Sequence, residues 1–203
     1  MLAERQIVGN KALGGTFESE IAKKLTKLLR ESGHITEKEE FYRVIGSGKN
    51  AHIRENAPIE VLNSMVGDIY GPTKFPFVIE CKRRKQNPGF HKMVLNKDKK
   101  LEIYSWMDQV LADAEKVNKI PLLFMKFLPN MGTYVAIDHV TWKLWAPVIY
   151  NESLPNFVYV NHPTIYSKED PQAKGRWVIM SWEYFAEIVN SDYDGWLRNK
   201  LND

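Results

Sequence analysis

Residues 66–85 read Val66-Gly67-Asp68-Ile69-Tyr70-Gly71-Pro72-Thr73-Lys74-Phe75-Pro76-Phe77-Val78-Ile79-Glu80-Cys81-Lys82-Arg83-Arg84-Lys85. The stretch divides into two strands, 66–70 and 75–82, joined by a turn at Gly71-Pro72-Thr73-Lys74. Side chains alternate along a strand, so Glu80 and Lys82 share one face while Ile79 and Cys81 share the other. If the strands pair as a hairpin, Asp68 comes opposite or diagonal to Glu80, with Cβ atoms on the order of 5–8 Å apart. Two carboxylates so placed suit a hard divalent cation such as Mg²⁺, which takes oxygen ligands and keeps several waters. Lys82 then stands where it can orient a water or stabilise phosphate charge. Taken alone, Glu-x-Lys is equally an ordinary carboxylate–lysine pair at a sheet edge. Asp68 and the charge that follows favour the site.

That charge is concentrated. The chain has 203 residues with 28 basic and 25 acidic side chains, a net charge of +3. Residues 1–81 are neutral overall, residues 82–100 carry +7 and residues 101–203 carry −4. The near-neutral total hides one basic block that begins at Lys82. Such a block is the electrostatic footprint of a polyanion-binding surface.

Outward from this centre, residues 16–32 read as a helix with Thr16 as N-cap and Gly33 as stop. Phe17, Ile21, Ala22, Leu25, Leu28 and Leu29 fall in one arc. Residues 41–45 read as a short strand before Gly46-Ser47-Gly48, with a little helix around 58–64. A second helix covers about 100–118, with Ile103, Trp106, Met107, Val110, Ala114 and Val117 on one face. The apolar run 120–127 reads as a buried strand. Further strands follow at about 133–138 and 176–180, then a helix at about 182–190 capped by Ser181. The order predicts one α/β domain with a mixed sheet flanked by helices: a core over about 9–138 and a C-terminal extension over about 139–203.

Other classes are excluded. The composition is not that of a disordered, collagen-like or coiled-coil chain. No uncharged apolar run approaches the ~18 residues of a membrane span. Residues 1–5 lack the apolar stretch of a signal peptide, so the expectation is a cytoplasmic protein. The single cysteine, Cys81, builds neither an internal disulfide nor a cysteine-rich zinc site. Residues 9–16 have P-loop spacing, but Gly15 stands where the phosphate-binding lysine belongs. The five histidines, His34, His52, His91, His139 and His162, lack metal-helix spacing and read as surface or loop residues. The tryptophans, all beyond residue 105, read as packing residues.

Glu18 lies inside the apolar arc of the first helix, where a carboxylate is costly unless paired or metal-bound. It is either a metal ligand, direct or supporting, or a first-turn carboxylate favoured by the helix dipole. Glu20 faces away, within i,i+4 reach of Lys24. Gln109 falls on the wheel beside Ser105 and Lys116, away from the apolar face, which argues against a role in the site.

Glu18 in 15–21, Arg43-Val44-Ile45-Gly46-Ser47-Gly48, Gly67-Asp68-Ile69 and Ile79-Glu80-Cys81-Lys82 together resemble the PD-(D/E)xK nuclease superfamily. In order and wording they are most similar to its archaeal-type Holliday junction resolvases. The resemblance covers roughly residues 9–138, and Gly67 replaces the proline that names the motif. It implies a restriction-endonuclease-like core and a Mg²⁺-dependent endonuclease, with Mn²⁺ able to substitute. It further implies that Asp68, Glu80 and the Cys81 carbonyl bind the metal, Lys82 assists the water, Glu18 completes the site and Ser47 lies near the scissile phosphate. Arg43, Arg83, Arg84, Lys85 and Lys92 are then expected on DNA. A homodimer matched to branched DNA is the first expectation for substrate and assembly. A restriction-like or repair nuclease on duplex or flapped DNA, or a non-catalytic nucleic-acid-binding module, are the alternatives.

Overall fold

Strand β3 (Phe77–Arg84) organises the fold, because both its neighbours and both its faces are covered. In the computed structural model, the structure describes residues 2–44, 66–72, 75–86, 92, 100–128, 132–142, 157–163 and 175–190. Among these, α1 (Leu2–Glu31) precedes β1 (Tyr42–Arg43), β2 (Ile69–Tyr70) and β3. Then come α2 (Glu102–Lys116), β4 (Ile120–Phe127), β5 (Thr133–Asp138), β6 (Phe157–Asn161), β7 (Arg176–Ser181) and a helix α3 over 182–190. The seven strands form one mixed sheet in the order β1-β2-β3-β4-β5-β7-β6. Only β3 and β4 run parallel, joined by the α2 crossover; the other neighbours are antiparallel.

The strands bury their side chains on both faces, and the alternation assigns each residue to a layer. On one face, Ile79, Cys81, Leu122, Phe124, Val135 and Met180 pack with Phe17, Ile21, Leu25 and Leu29 of α1 and Phe185 and Ile188 of α3. On the other, Val78, Leu123, Met125, Ala136 and Trp177 meet Ile103, Trp106, Met107 and Val110 of α2. The result is the expected α/β fold, a mixed sheet between helical layers, consistent with a restriction-endonuclease-like core. Residues 157–190, where described, extend the same sheet, with β7 inserted between β5 and β6.

Several expectations change. The first helix begins at Leu2 rather than residue 16, so Thr16 is an exposed interior residue and not a cap. Residues 3–13 are rich in good helix formers, and the helix continues through Gly14 and Gly15 despite their low helix propensity. The P-loop-like spacing at 9–16 therefore lies on continuous helix. The same extension removes the dipole account of Glu18, which is several turns from the N-terminus. His139 and His162 are buried, at 5% and 2% exposure, because they sit where β5 and β6 end beneath helical cover. His162 Nε2 lies 3.2 Å from Asp108 Oδ1 and 3.3 Å from the Tyr104 carbonyl oxygen on α2. Strand β6 was not foreseen.

Other readings hold. Strand β4 covers 120–127 and β5 covers 133–138 as expected. Ser181 accepts the Tyr184 N–H through its Oγ at 3.2 Å, an N-cap bond. Trp106, Trp142 and Trp177 are buried in the core. Residues 45–65, with Ser47 and the small helix expected around 58–64, lie outside the described residues, as do His52 and His91. Among the described residues, no helix is long and apolar enough to cross a membrane.

Candidate active site

The site starts where the chain enters β2. Gly67 has φ +81°, and a Cβ built there would stand 2.6 Å from the Ile79 carbonyl oxygen. Only glycine fits so close a pass at positive φ, and proline, fixed near −65°, cannot adopt it. The departure from the motif's proline is therefore structural. After that pass, Asp68 N–H donates to the Ile79 carbonyl at 2.7 Å, and Ile69 pairs with Ile79 in the antiparallel ladder. Asp68, one residue before β2, is thereby set beside Glu80, close enough for its charge to act on that carboxyl. Asp68 Oδ2 also accepts the Cys81 backbone N–H at 2.9 Å, so β3 itself aims that carboxylate.

Asp68 and Glu80 are 8% and 2% exposed. Burial first, then the charge of Asp68, pushes the Glu80 carboxyl up to about 7, against the pull of Lys82. Lys82 Nζ donates to Glu80 Oε1 and to Gln109 Oε1, the latter at 3.0 Å. Gln109 Nε2 donates to the same Glu80 oxygen at 2.8 Å. Glu80, Lys82 and Gln109 thus form a closed triangle of hydrogen bonds. Asp113, one turn further along α2, adds a smaller upward push on Glu80 and is itself paired with Lys116 at 2.6 Å.

Gln109 is the residue that the helical wheel misplaced. It is exposed, as the wheel requires, but it stands next to Val110 on the shoulder of α2. Its side chain reaches down to the strand beneath. A wheel places Cα atoms and says nothing of this reach. Glu20 was misjudged for the same reason. Besides its i,i+4 contact with Lys24 at 3.5 Å, it accepts both oxygens' worth of hydrogen bonds from Lys126 of β4, at 2.8 and 2.9 Å.

Glu18 borders the site from α1, and its carboxylate holds Arg43 Nε. Burial raises the Glu18 carboxyl; the Arg43 hydrogen bond opposes this, and Asp68 reinforces it. Arg43 is positioned by β1, which pairs Arg43 with Ile69 and Tyr42 with Tyr70. Two further contacts anchor this strand: Phe41 N–H to Thr26 Oγ1 at 2.9 Å, and Phe41 edge-on to Phe75 at 4.7 Å.

The remaining candidates separate. The Cys81 thiol is buried on the α1 face, and burial pushes it well above the usual thiol range; only its backbone belongs beside Glu80. Arg83 points to the α1 side and is partly buried. Arg84 donates through Nε and Nη2 to Glu102 Oε1 at 2.9 and 2.6 Å and lies over the Trp106 ring at 5.1 Å. It fastens α2 to β3. Lys85 and Lys92 are exposed.

The donor chemistry at Asp68 and Glu80 fits a hard cation. Two buried carboxylates lie close enough to repel, and all the side-chain donors are oxygens, as Mg²⁺ requires. Among the described residues, no group of three or more His, Cys, Asp and Glu side chains is gathered tightly enough to hold a metal. A cation there would have two protein carboxylates, with water and a phosphate for the rest, which suits Mg²⁺.

Residues 9–194 match the family described as "Phage putative PDDEXK endonuclease". No curated protein and no solved structure matches the chain.

Proposed function

The chain belongs to this phage PDDEXK endonuclease family, and from that premise we propose that it is a Mg²⁺-dependent endonuclease that hydrolyses DNA phosphodiesters, with branched DNA as its substrate. The observation that carries the reading is the buried Asp68–Glu80 carboxylate pair, with Lys82 on the same face of β3 as Glu80. Asp68 and Glu80 would hold Mg²⁺, with the Cys81 carbonyl as a further oxygen. Bound there, the ion supplies Lewis-acid stabilisation of phosphate charge and lowers the pKa of a bound water.

The chain's own residues do the rest. Asp68 stays fixed because a backbone N–H of β3 holds it. Lys82 keeps an ammonium at the rim of the carboxylate pair, positioned to orient the attacking water or to neutralise a phosphate oxygen. Gln109 restrains both Glu80 and Lys82. Lys85 and Lys92 follow the DNA backbone. The choice of branched DNA rests on the resemblance to junction resolvases, and a homodimer supplies the two-fold symmetry that paired cuts in a four-way junction need.

The test is cleavage of four-way, flapped and linear DNA with Mg²⁺ or with EDTA. Metal-dependent junction cutting, abolished by Asp68→Ala or Glu80→Ala, is the expected result. Equal rates on linear duplex would replace the branched substrate by a restriction-like or repair one. Binding without cutting in any metal would leave a non-catalytic DNA-binding module.

A further inference from the structure

We propose that Gly15 is a positioning residue: its bare backbone seats the Arg43 guanidinium flat on α1, where Glu18 holds Nε and the two terminal nitrogens are presented to a DNA phosphate beside the Asp68–Glu80 pair. The inference rests on the DNA-cleaving reading above and adds to it a phosphate clamp built by α1 and β1.

The geometry is specific. A Cβ built on Gly15 would stand 2.7 Å from Cζ, Nη1 and Nη2 of Arg43 alike. The one point in the guanidinium plane equidistant from these three atoms lies only a bond length from each, so a Cβ 2.7 Å from all three stands over the flat face of the group. A methyl at Gly15 would force the guanidinium off this seat. Glycine inside a helix is otherwise unfavourable relative to alanine, and Gly15 sits well within α1, so the position has a reason other than helix stability. Among the described residues, Glu18 is the partner of this guanidinium, and it engages Nε. Nη1 and Nη2 form the fork that matches two phosphate oxygens. The Arg43 side chain is 41% exposed while Glu18 is 14% exposed, so the cation is the more accessible member of the pair and its anchor the more covered.

The location follows from the ladder. Arg43 pairs with Ile69, and the next residue's N–H, that of Val44, donates to the Asp68 carbonyl at 2.9 Å. Arg43 is thus tied to β2, and the residue after it to Asp68, the residue just before that strand. Glu18 is close enough to Asp68 and Lys82 to feel both charges. A phosphate held by Arg43 therefore belongs to the same DNA backbone as the one at the Asp68–Glu80 pair.

The experiment uses the full chain as wild type, Gly15→Ala, Arg43→Lys and the double variant. Gly132→Ala serves as control, because a Cβ at that position meets nothing within 4 Å. Gly15→Ala should melt no lower than wild type, because alanine favours the helix, yet raise KM for DNA about tenfold, as expected when a binding group is misplaced. Its Arg43 Nε–Hε NMR signal, held by Glu18 in wild type, should shift to that of a free guanidinium. The double variant should be no worse than Arg43→Lys, since both changes remove one interaction. Wild-type KM and an unshifted Arg43 signal in Gly15→Ala would overturn the seat. So would additive losses in the double variant, or a Gly15→Ala chain that does not fold. If wild type neither binds nor cuts DNA, the nuclease reading fails and the phosphate role with it, whereas the NMR signal still decides the seat separately.

Discussion

The carboxylate of Asp68 is aimed by the backbone of Cys81, whose N–H reaches Oδ2 at 2.9 Å. One acidic residue of the site is thereby fixed by the chain segment that carries the other, Glu80. The fixing group is main chain, so no side-chain substitution on β3 removes it directly. Asp68→Asn keeps an oxygen for that bond and should preserve the local fold while abolishing cleavage. A circular-dichroism melt beside an activity assay checks both halves; an inactive, unfolded variant would contradict the first.

The repulsion between these two carboxylates makes stability depend on pH. Glu80 is raised from 4.5 to about 7 in the folded chain, so folding favours its neutral form. That contribution is fully present below pH 4.5 and is lost as pH rises through about 7. Thermal melts in EDTA should therefore fall across this window for wild type and stay flat for Glu80→Gln. Excess Mg²⁺ should restore the wild-type melting temperature above the window and leave Glu80→Gln unchanged. A wild-type curve that rises with pH would refute the assignment.

Gln109 joins Glu80 to Lys82, and its removal frees both. Gln109→Leu should lower Mg²⁺-dependent cleavage between about 10- and 100-fold, the usual effect of losing a group that orients metal-binding residues. Titrating Mg²⁺ at fixed DNA separates weaker metal binding from slower turnover. An unchanged rate at all Mg²⁺ levels would make Gln109 a surface residue.

The basic block should divide by function. Lys85→Ala should reduce the slope of log affinity against log salt by about 1, as for one lost phosphate contact. Arg84→Ala should leave that slope nearly unchanged and lower stability by about 1 kcal/mol, because its guanidinium is occupied by Glu102 and Trp106. Filter binding at several salt concentrations, with a denaturant melt, distinguishes them.

The Glu20–Lys126 pair fastens α1 to β4. Burial raises the Glu20 carboxyl, but Lys126, helped by Lys24, outweighs it and holds it below the usual range. Both side chains remain roughly a quarter to a third exposed, so a double-mutant cycle of Glu20→Gln and Lys126→Met should give only about 1 kcal/mol of coupling. A coupling near zero would reduce the pair to a surface contact.

What the sequence made legible follows from the range of each signal. The alternation in 77–82 and the period of 17–29 are local; the first placed Glu80 and Lys82 on one face, with Asp68 beside them by hairpin pairing, and the second gave the α1 core. Strand β6 escaped because its burial depends on β7, nearly twenty residues away. The start of α1 escaped because Gly14-Gly15 is a stop signal by propensity, whereas at Gly15 the absent side chain accommodates Arg43. Gln109 and Lys126 escaped because their partners are set by layer packing. The motif was local; the groups that restrain it were not.

The unequal length of the strands has a dynamic consequence. Glu80 and Lys82 ride on an eight-residue strand paired along its length with β4, in the middle of the sheet. Arg43 lies on a two-residue strand at its margin, and Asp68 just before another. Segments with so few ladder bonds open at lower free energy than the centre. Backbone amides around 42–44 and 68–70 should exchange with deuterium long before those of 78–82. A cation bridging Asp68 and Glu80 would therefore also be a fastener of the sheet's margin.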